Sequence, residues 1–257
     1  MQLLSPTATT YSELQNAYEH FNKVLFDNAL PACLITLQRE KRTCGYFSAQ
    51  RWANVEGQFT DEIALNPAYF AVTPIVETMQ TLVHEMVHLW QHHFGKPGRG
   101  RYHNDEWANK MESIGLMPSS TGQPGGKRTG DHMGDYAVEG GRFLMACQAL
   151  LTAQFKLSWY DRFPAEEHVA HGQASYASQL SDPAAAISPA QANQALANVV
   201  KPTVKAARQS EDGTSLQAPN RSNRIKYTCP SCAQQVWGKP GLRLLCGGEN
   251  CDSIPFV

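Results

Sequence analysis

Apolar residues recur at helical spacing through residues 10–28, at Leu14, Ala17, Tyr18, Phe21, Val24 and Leu25. One face of a helix is therefore apolar, fit to pack on a sheet, with Thr10 or Ser12 placed to cap its start. The rhythm then changes. Cys33–Gln38 and Gly45–Trp52 read as strands joined by the charged run Arg39–Arg42, and Glu62–Leu65 is a short third strand closed by Asn66-Pro67. A second helical stripe, Met79, Val83, Met86, Val87 and Trp90, runs through Pro74–Gly95. Thr73 suits an N-cap, Pro74 the first helical position, Glu77 the positive end of the dipole, and Gly95 followed by Pro97 a stop. After a Gly/Pro-rich turn, Asn104–Ile114 reads as a third helix with Trp107, Met111 and Ile114 on one side.

Opposite the second stripe stand Gln80, Thr81, His84, His88 and Gln91, within the sequence His84-Glu85-Met86-Val87-His88. Side chains four apart on a helix stand one above the other, so both imidazoles reach one metal ion. Glu85 projects beside them, where a carboxylate deprotonates a metal-activated water without ligating the metal. The position where a metzincin carries its third histidine is Phe94, so that subclass is excluded. His92 and His93 lie too far along the axis to close the same tetrahedron and read as outer-shell or solvated. His103, 15 residues beyond His88, is the better third ligand, with Glu106 or Glu112 as the His/His/Glu alternative.

The helix with His84-Glu85-x-x-His88, the short basic loop, and His103-Asn104-Asp105-Glu106-Trp107 together resemble the SprT-like (Spartan-type) family of metallopeptidases over residues 10–117. That family's downstream motif is His-Gly-x-x-aromatic; here Asn104 stands in the Gly position while His103 and Trp107 are kept. The resemblance implies zinc on His84, His88 and His103 with Glu85 as general base, a protein substrate, and an association with DNA.

An edge strand beside such a helix accepts an extended peptide as one more strand, which implies broad specificity; either Gly45–Ser48 or Ile63–Leu65 fits that edge. Tyr46, Tyr102 and Tyr136 each have the chemistry to polarise a substrate carbonyl, against an ordinary packing role. Pro118–Gly130 is a Gly-rich basic loop. Three residues, not four, separate Gly122 from Gly126, and Lys127 is followed by Arg128, so it is no nucleotide-binding P-loop. Lys127 and Arg128 remain candidates for phosphate contact. Asp135–Val138, Gly141–Gln154 and Phe155–Tyr160 read as strand, helix and strand. From Pro164 to about Asn223 large apolar residues are scarce, the composition of a mobile linker with transient helix around Ala190–Val199.

Cys229-x-x-Cys232 and Cys246-x4-Cys251 form two knuckles, with a hairpin expected between Gln235–Trp237 and Leu242–Leu245. Four thiolates close a tetrahedron, so this is a structural zinc site. Metal binding supplies the folding free energy, about 10 kcal/mol or more, that so short a unit lacks. Cys33, Cys44 and Cys147 are left as reduced thiols. Trp237 is expected as the ribbon's small core, with stacking on an unpaired base as its alternative.

The chain of 257 residues has a net charge of −1, but residues 199–257 hold eight Lys/Arg against four acids, a local +4 that leaves −5 on the rest. A basic tail suits a polyanion, and Arg224, Lys226, Lys239 and Arg243 join the candidates for nucleic-acid contact. Neither a secretory leader nor a membrane span is evident, so a cytoplasmic location is expected. The expected architecture is α+β: a minimal zincin-like domain (1–117), a strand-helix-strand extension (118–164), a flexible linker (165–223) and a four-cysteine zinc ribbon (224–257). The expected function is a two-zinc endopeptidase acting on DNA-bound or DNA-crosslinked proteins. Its rival is a catalytically inactive nucleic-acid-binding adaptor with structural zinc sites.

Overall fold

The first helix begins earlier than its apolar stripe. Ser5 caps α1 (Pro6–Leu25), accepting from the Ala8 N–H, and Pro6 fills the first position. Thr10 and Ser12, expected as caps, instead donate back to the carbonyls of Pro6 and Thr9 inside the helix. The computed structural model describes residues 5–40, 43–152, 155–164, 187–201, 225–248, 251 and 253–257. Two compact units, Met1–Lys205 and Ala206–Val257, make up the chain.

Three strands form the main sheet: β1 (Leu34–Leu37), β2 (Gly45–Ala53) and β3 (Phe59–Leu65). Their order is β1-β3-β2, with β1 parallel and β2 antiparallel to β3. β3 is thus paired on both sides, which removes Ile63–Leu65 as a free edge and leaves β2 as one. The β2–β3 register shifts between Ser48 and Trp52, and Gln50 there takes the left-handed φ of 47°. That conformation costs a non-glycine residue roughly 1 kcal/mol, offset by the Gln50 N–H donating to Asp61 Oδ1 at 2.7 Å.

α2 (Ile75–Phe94) packs on β2 and β3. Its cap is Pro74, without a side-chain hydrogen bond. Thr73, expected there, donates its hydroxyl to Tyr69 O. The apolar stripe is buried as expected, and Leu82 and Leu89 with it. The polar side is buried too, because Gln80 meets Asp135 and Gln91 meets Asn104 and Glu106. Up to Gln91 the helix is therefore largely enclosed, and the side-chain amides of Gln80 and Gln91 have found partners.

Beyond α2 come α3 (Asp105–Ser113), the antiparallel pair β4 (Leu116–Ser119) and β5 (Gly134–Ala137), and α4 (Arg142–Thr152). β4 was concealed by Pro118, which sits opposite Asp135 in a strand only four residues long. α4 returns to α1, where Phe21 and Phe143 stack with centroids 6.0 Å apart. Phe143, Ala146, Leu150 and Leu157 share one core with α1, α2 and the sheet. Phe155–Tyr160, expected as a strand, is irregular and pairs with no strand among the described residues. Leu157 is buried, Phe155 and Tyr160 pack on the core, and Ser158 is held through its N–H by Glu13. Apolar alternation there reflects burial of an irregular segment.

Within the expected linker, Ser188 and Asn193 cap two short helices, α5 (Pro189–Ala192) and α6 (Gln194–Val199). The Ala190 N–H donates to Ala71 O and the Lys201 N–H to Arg162 O, so this stretch is anchored to the first unit. Residues 165–186 and 202–224 of the expected linker and ribbon boundary, Arg224 included, lie outside the described residues.

In the second unit β6 (Ile225–Thr228) pairs antiparallel with β7 (Gln235–Gly238), so the first cysteine knuckle is the turn of the hairpin. The hairpin expected between β7 and Leu242–Leu245 does not form; Leu245 bridges Pro255 instead. Trp237, expected as the core, is 61% exposed. Tyr227 takes that place, its hydroxyl donating to Lys239 O at 2.6 Å and accepting from the Leu242 N–H. Among the described residues no helix is long and apolar enough to cross a membrane.

Glu77, in the first turn of α2, carries a testable consequence of enclosure. Burial, with Asp135 adding repulsion, pushes its carboxyl up to about 8. A carboxyl raised above its unfolded value of about 4.3 favours the folded state while protonated, so its contribution is complete below pH 4 and is lost as pH rises toward 8. Glu77→Gln is expected to raise Tm at pH 8 and leave it nearly unchanged at pH 4.5, as thermal melts of both proteins at the two pH values would register.

Candidate metal centres

His84 and His88 project from α2 with ring centroids 5.2 Å apart, and His103 arrives from the loop before α3, 4.8 Å from His88 and 5.6 Å from His84. One ring nitrogen of each lies within 4.8 Å of the others. His88 Nε2 and His103 Nε2 are 3.1 Å apart, close to the roughly 3.3 Å that two nitrogens on a tetrahedral zinc span at 2.0–2.1 Å each.

The outward nitrogens set the tautomers. His84 Nδ1 lies 2.8 Å from Asp135 Oδ2, and His103 Nδ1 lies 3.0 Å from Gly130 O. Both partners accept only, so each Nδ1 carries the proton and each Nε2 turns a lone pair to the cluster. Burial, then the neighbouring histidines, hold His88 well below the usual imidazole range and His103 down at about 4. At His84, burial is outweighed by the Asp135 hydrogen bond and the charges of Glu85 and Asp135, so its net shift is upward. Neutral rings are the form that ligates metal. The three imidazoles fit zinc, with a fourth position left for water or substrate.

Trp107, fully buried, lies beside all three rings, with centroids 4.4 Å from His103, 5.1 Å from His84 and 5.6 Å from His88. Its packing restricts the rotamers from which the imidazoles converge. Asn104 explains the departure from the Gly of the resembled motif. Its side chain caps α3 by accepting from the Trp107 N–H and donates to Lys96 O, holding both ends of the turn before His103.

The alternative ligands are engaged elsewhere. Glu106 accepts from the Lys96 N–H and Gln91 Nε2; a Cβ on Gly95 would lie 2.4 Å from its Oε2. Glu112 accepts from Arg128 Nε at 2.6 Å. Arg128, read as a phosphate contact, also donates to Asp105 and Asn109, so its charge is neutralised within the fold. Its role is to fasten the basic loop to α3, two residues before Gly130, whose N–H and C=O pair with His103. Lys127 is exposed on that loop. His92 and His93 stand apart from the triad, as expected, but His93 Nε2 meets Asp61 Oδ2 at 2.7 Å.

Glu85 is almost wholly buried beside the triad, on the helix that packs against edge strand β2. Burial lifts it to about 7, against the lowering pull of His84. Asp135 and Gly130 were missed in the sequence. The need of each imidazole for an acceptor was visible, but Asp135 lies 51 residues from His84 and Gly130 lies 27 from His103, and only the β4–β5 pairing brings them in.

In the second unit Cys229 Sγ lies 3.8 Å from Cys251 Sγ and Cys232 Sγ lies 3.6 Å from Cys246 Sγ, all four within one cluster. Thiolates on a tetrahedral zinc at 2.3 Å stand about 3.8 Å apart, and a disulfide would require about 2.05 Å. The cluster fits a closed metal site.

Residues 14–125 match the SprT-like family. The chain is also similar to an "uncharacterized protein in mucB 3'region" of Salmonella typhimurium, at 61% identity over 59 residues, 23% of this chain and 80% of the relative. No solved structure matches. Gly130 and Asp135 lie beyond the matched residues, so their roles rest on geometry. Asp135→Ala is expected to weaken zinc at the histidine site by about 10–100-fold while leaving the cysteine-held zinc in place, measured by chelator competition. The chain belongs to the SprT-like family, and its four clustered cysteines are consistent with a zinc ribbon.

Proposed function

We propose that this protein is a zinc-dependent endopeptidase of broad sequence specificity that acts on DNA-bound or DNA-crosslinked proteins. The observation that carries the peptidase half is the position of Glu85, buried on α2 next to a triad ligand. Zinc, when bound by His84, His88 and His103, supplies a Lewis acid and lowers the pKa of a bound water to about 7. A Glu85 carboxyl poised at about 7 exchanges protons in both directions at neutral pH. One carboxylate oxygen takes the proton of the attacking water and then delivers it to the departing amine nitrogen. β2 offers a backbone edge on which a peptide lies as an added strand, held by main-chain hydrogen bonds that read no side chain. Together these support a minimal zincin-like domain over residues 1–117, completed by the extension that supplies Gly130 and Asp135.

What supports the DNA half is the ribbon's surface. Lys226 and Trp237 are register partners across β6 and β7, so they share a face, and both are exposed, as are Lys239 and Arg243. An exposed indole beside a lysine is the chemistry that stacks on an unpaired base and meets its phosphate.

Glu85→Gln is expected to retain the zinc of the histidine triad and of the cysteine cluster and lose peptide cleavage entirely; undiminished cleavage by the purified variant refutes the assignment. In the full-length protein, Trp237→Ala is expected to weaken single-stranded DNA binding by about 1–3 kcal/mol without altering its salt slope. Lys226→Ala should reduce that slope by about 1. Binding isotherms over a salt series distinguish these, and binding independent of salt in the parent chain would remove the DNA half.

A further inference from the structure

The last turn of α2 carries two histidines outside the triad. His93 Nε2 lies 2.7 Å from Asp61 Oδ2, and the rings of His92 and His93 approach to 4.9 Å between centroids at 84°. Consecutive side chains on a helix point about 100° apart, so adjacent imidazoles converge only when turned toward a common point beside the helix. Asp61 marks that point. Its side chain is buried, and its Oδ1 is held at 2.7 Å by the N–H of Gln50 in the β2 bulge, which aims Oδ2 at the histidines. One donor atom each from Asp61, His92 and His93 lies within 4.8 Å of the others. An ion pair accounts for the Asp61–His93 contact but not for the third donor.

We propose that Asp61, His92 and His93 bind a third divalent metal ion of the zinc class, distinct from the histidine triad and the cysteine cluster. Two imidazole nitrogens and one carboxylate oxygen suit zinc, cobalt or nickel and not calcium or magnesium, which take oxygen donors. The Gln50 hydrogen bond orients the carboxylate as an outer partner orients a ligand. Donors on a tetrahedral ion sit about 3.3 Å apart, so binding draws His92 inward and opens the Asp61–His93 contact slightly. Rotation of the half-buried His92 ring and the exposed His93 ring supplies both movements. An ion here ties the end of α2 to the bulge of β2. The Phe47 ring is 5.8 Å from that of His92, so the same ion steadies edge strand β2.

The test is the zinc content of the full-length protein after equilibrium dialysis against zinc buffered in the micromolar range, with Tm recorded in parallel. Three ions per chain are expected in the parent, and two in each of Asp61→Asn, His92→Ala and His93→Ala. The added zinc should raise Tm in the parent and not in the variants. His92→Ala decides the matter where Asp61→Asn fails to fold, because it leaves the Asp61–His93 contact intact. Two ions in the parent, or three retained in His92→Ala, would overturn the proposal and leave an ion pair alone.

Discussion

Three imidazole nitrogens turn lone pairs toward one buried point, and the rest of the first unit is arranged to keep them there. Such convergence is unfavourable for the bare protein, because like dipoles face one another where water is scarce and protonation would place positive charges side by side. The depressed values at His88 and His103 express that cost. A cation at the centre would turn the same arrangement into a favourable one, and the fold already holds His88 and His103 in the neutral form that ligates metal.

The surrounding architecture follows from that requirement. α2 is enclosed because a helix whose polar side holds ligands must have that side covered by partners able to accept from imidazole N–H groups. β5 brings the Asp135 carboxylate, and the bridge at Gly130 brings a carbonyl. Trp107 fills the space between the rings. Arg128 and Asn104 fasten the two loops that carry these parts, which gives the basic loop a role in positioning that its charge alone would not suggest. The opposite flank of α2 meets β2 and β3 of the sheet.

What could be read from the sequence was whatever depends on short range. The spacing of His84 and His88 is a property of one helix, and three strands were visible as β-rich runs between turns. His103 followed from the loop that brings it back and from the resemblance. Asp135, Gly130 and Asp61 were not legible, because each acts through pairing between segments far apart in the chain, and an aspartate or glycine in a loop-rich stretch has no periodic signature. β4 escaped because four residues containing a proline offer too little pattern. Cap residues were misplaced for a related reason: Thr10, Ser12 and Thr73 have hydroxyls that serve equally well turned back onto a preceding carbonyl.

Trp237 shows how a metal alters the rule by which large aromatics go inside. In a unit this small, an aromatic core is the usual remedy for scarce apolar surface, which is why the indole was expected there. Cys229, Cys246 and Cys251 are instead the buried centre, with Tyr227 packed in the same unit and tied by its hydroxyl to the chain beyond β7. A metal held by four thiolates would supply the free energy that an aromatic core otherwise provides. The indole is then free to stand 61% exposed opposite Lys226. An exposed tryptophan is a cost in a ribbon that has no other use for it. The two clusters thus differ in kind: four thiolates fit a closed metal site, and three imidazoles leave a fourth position open.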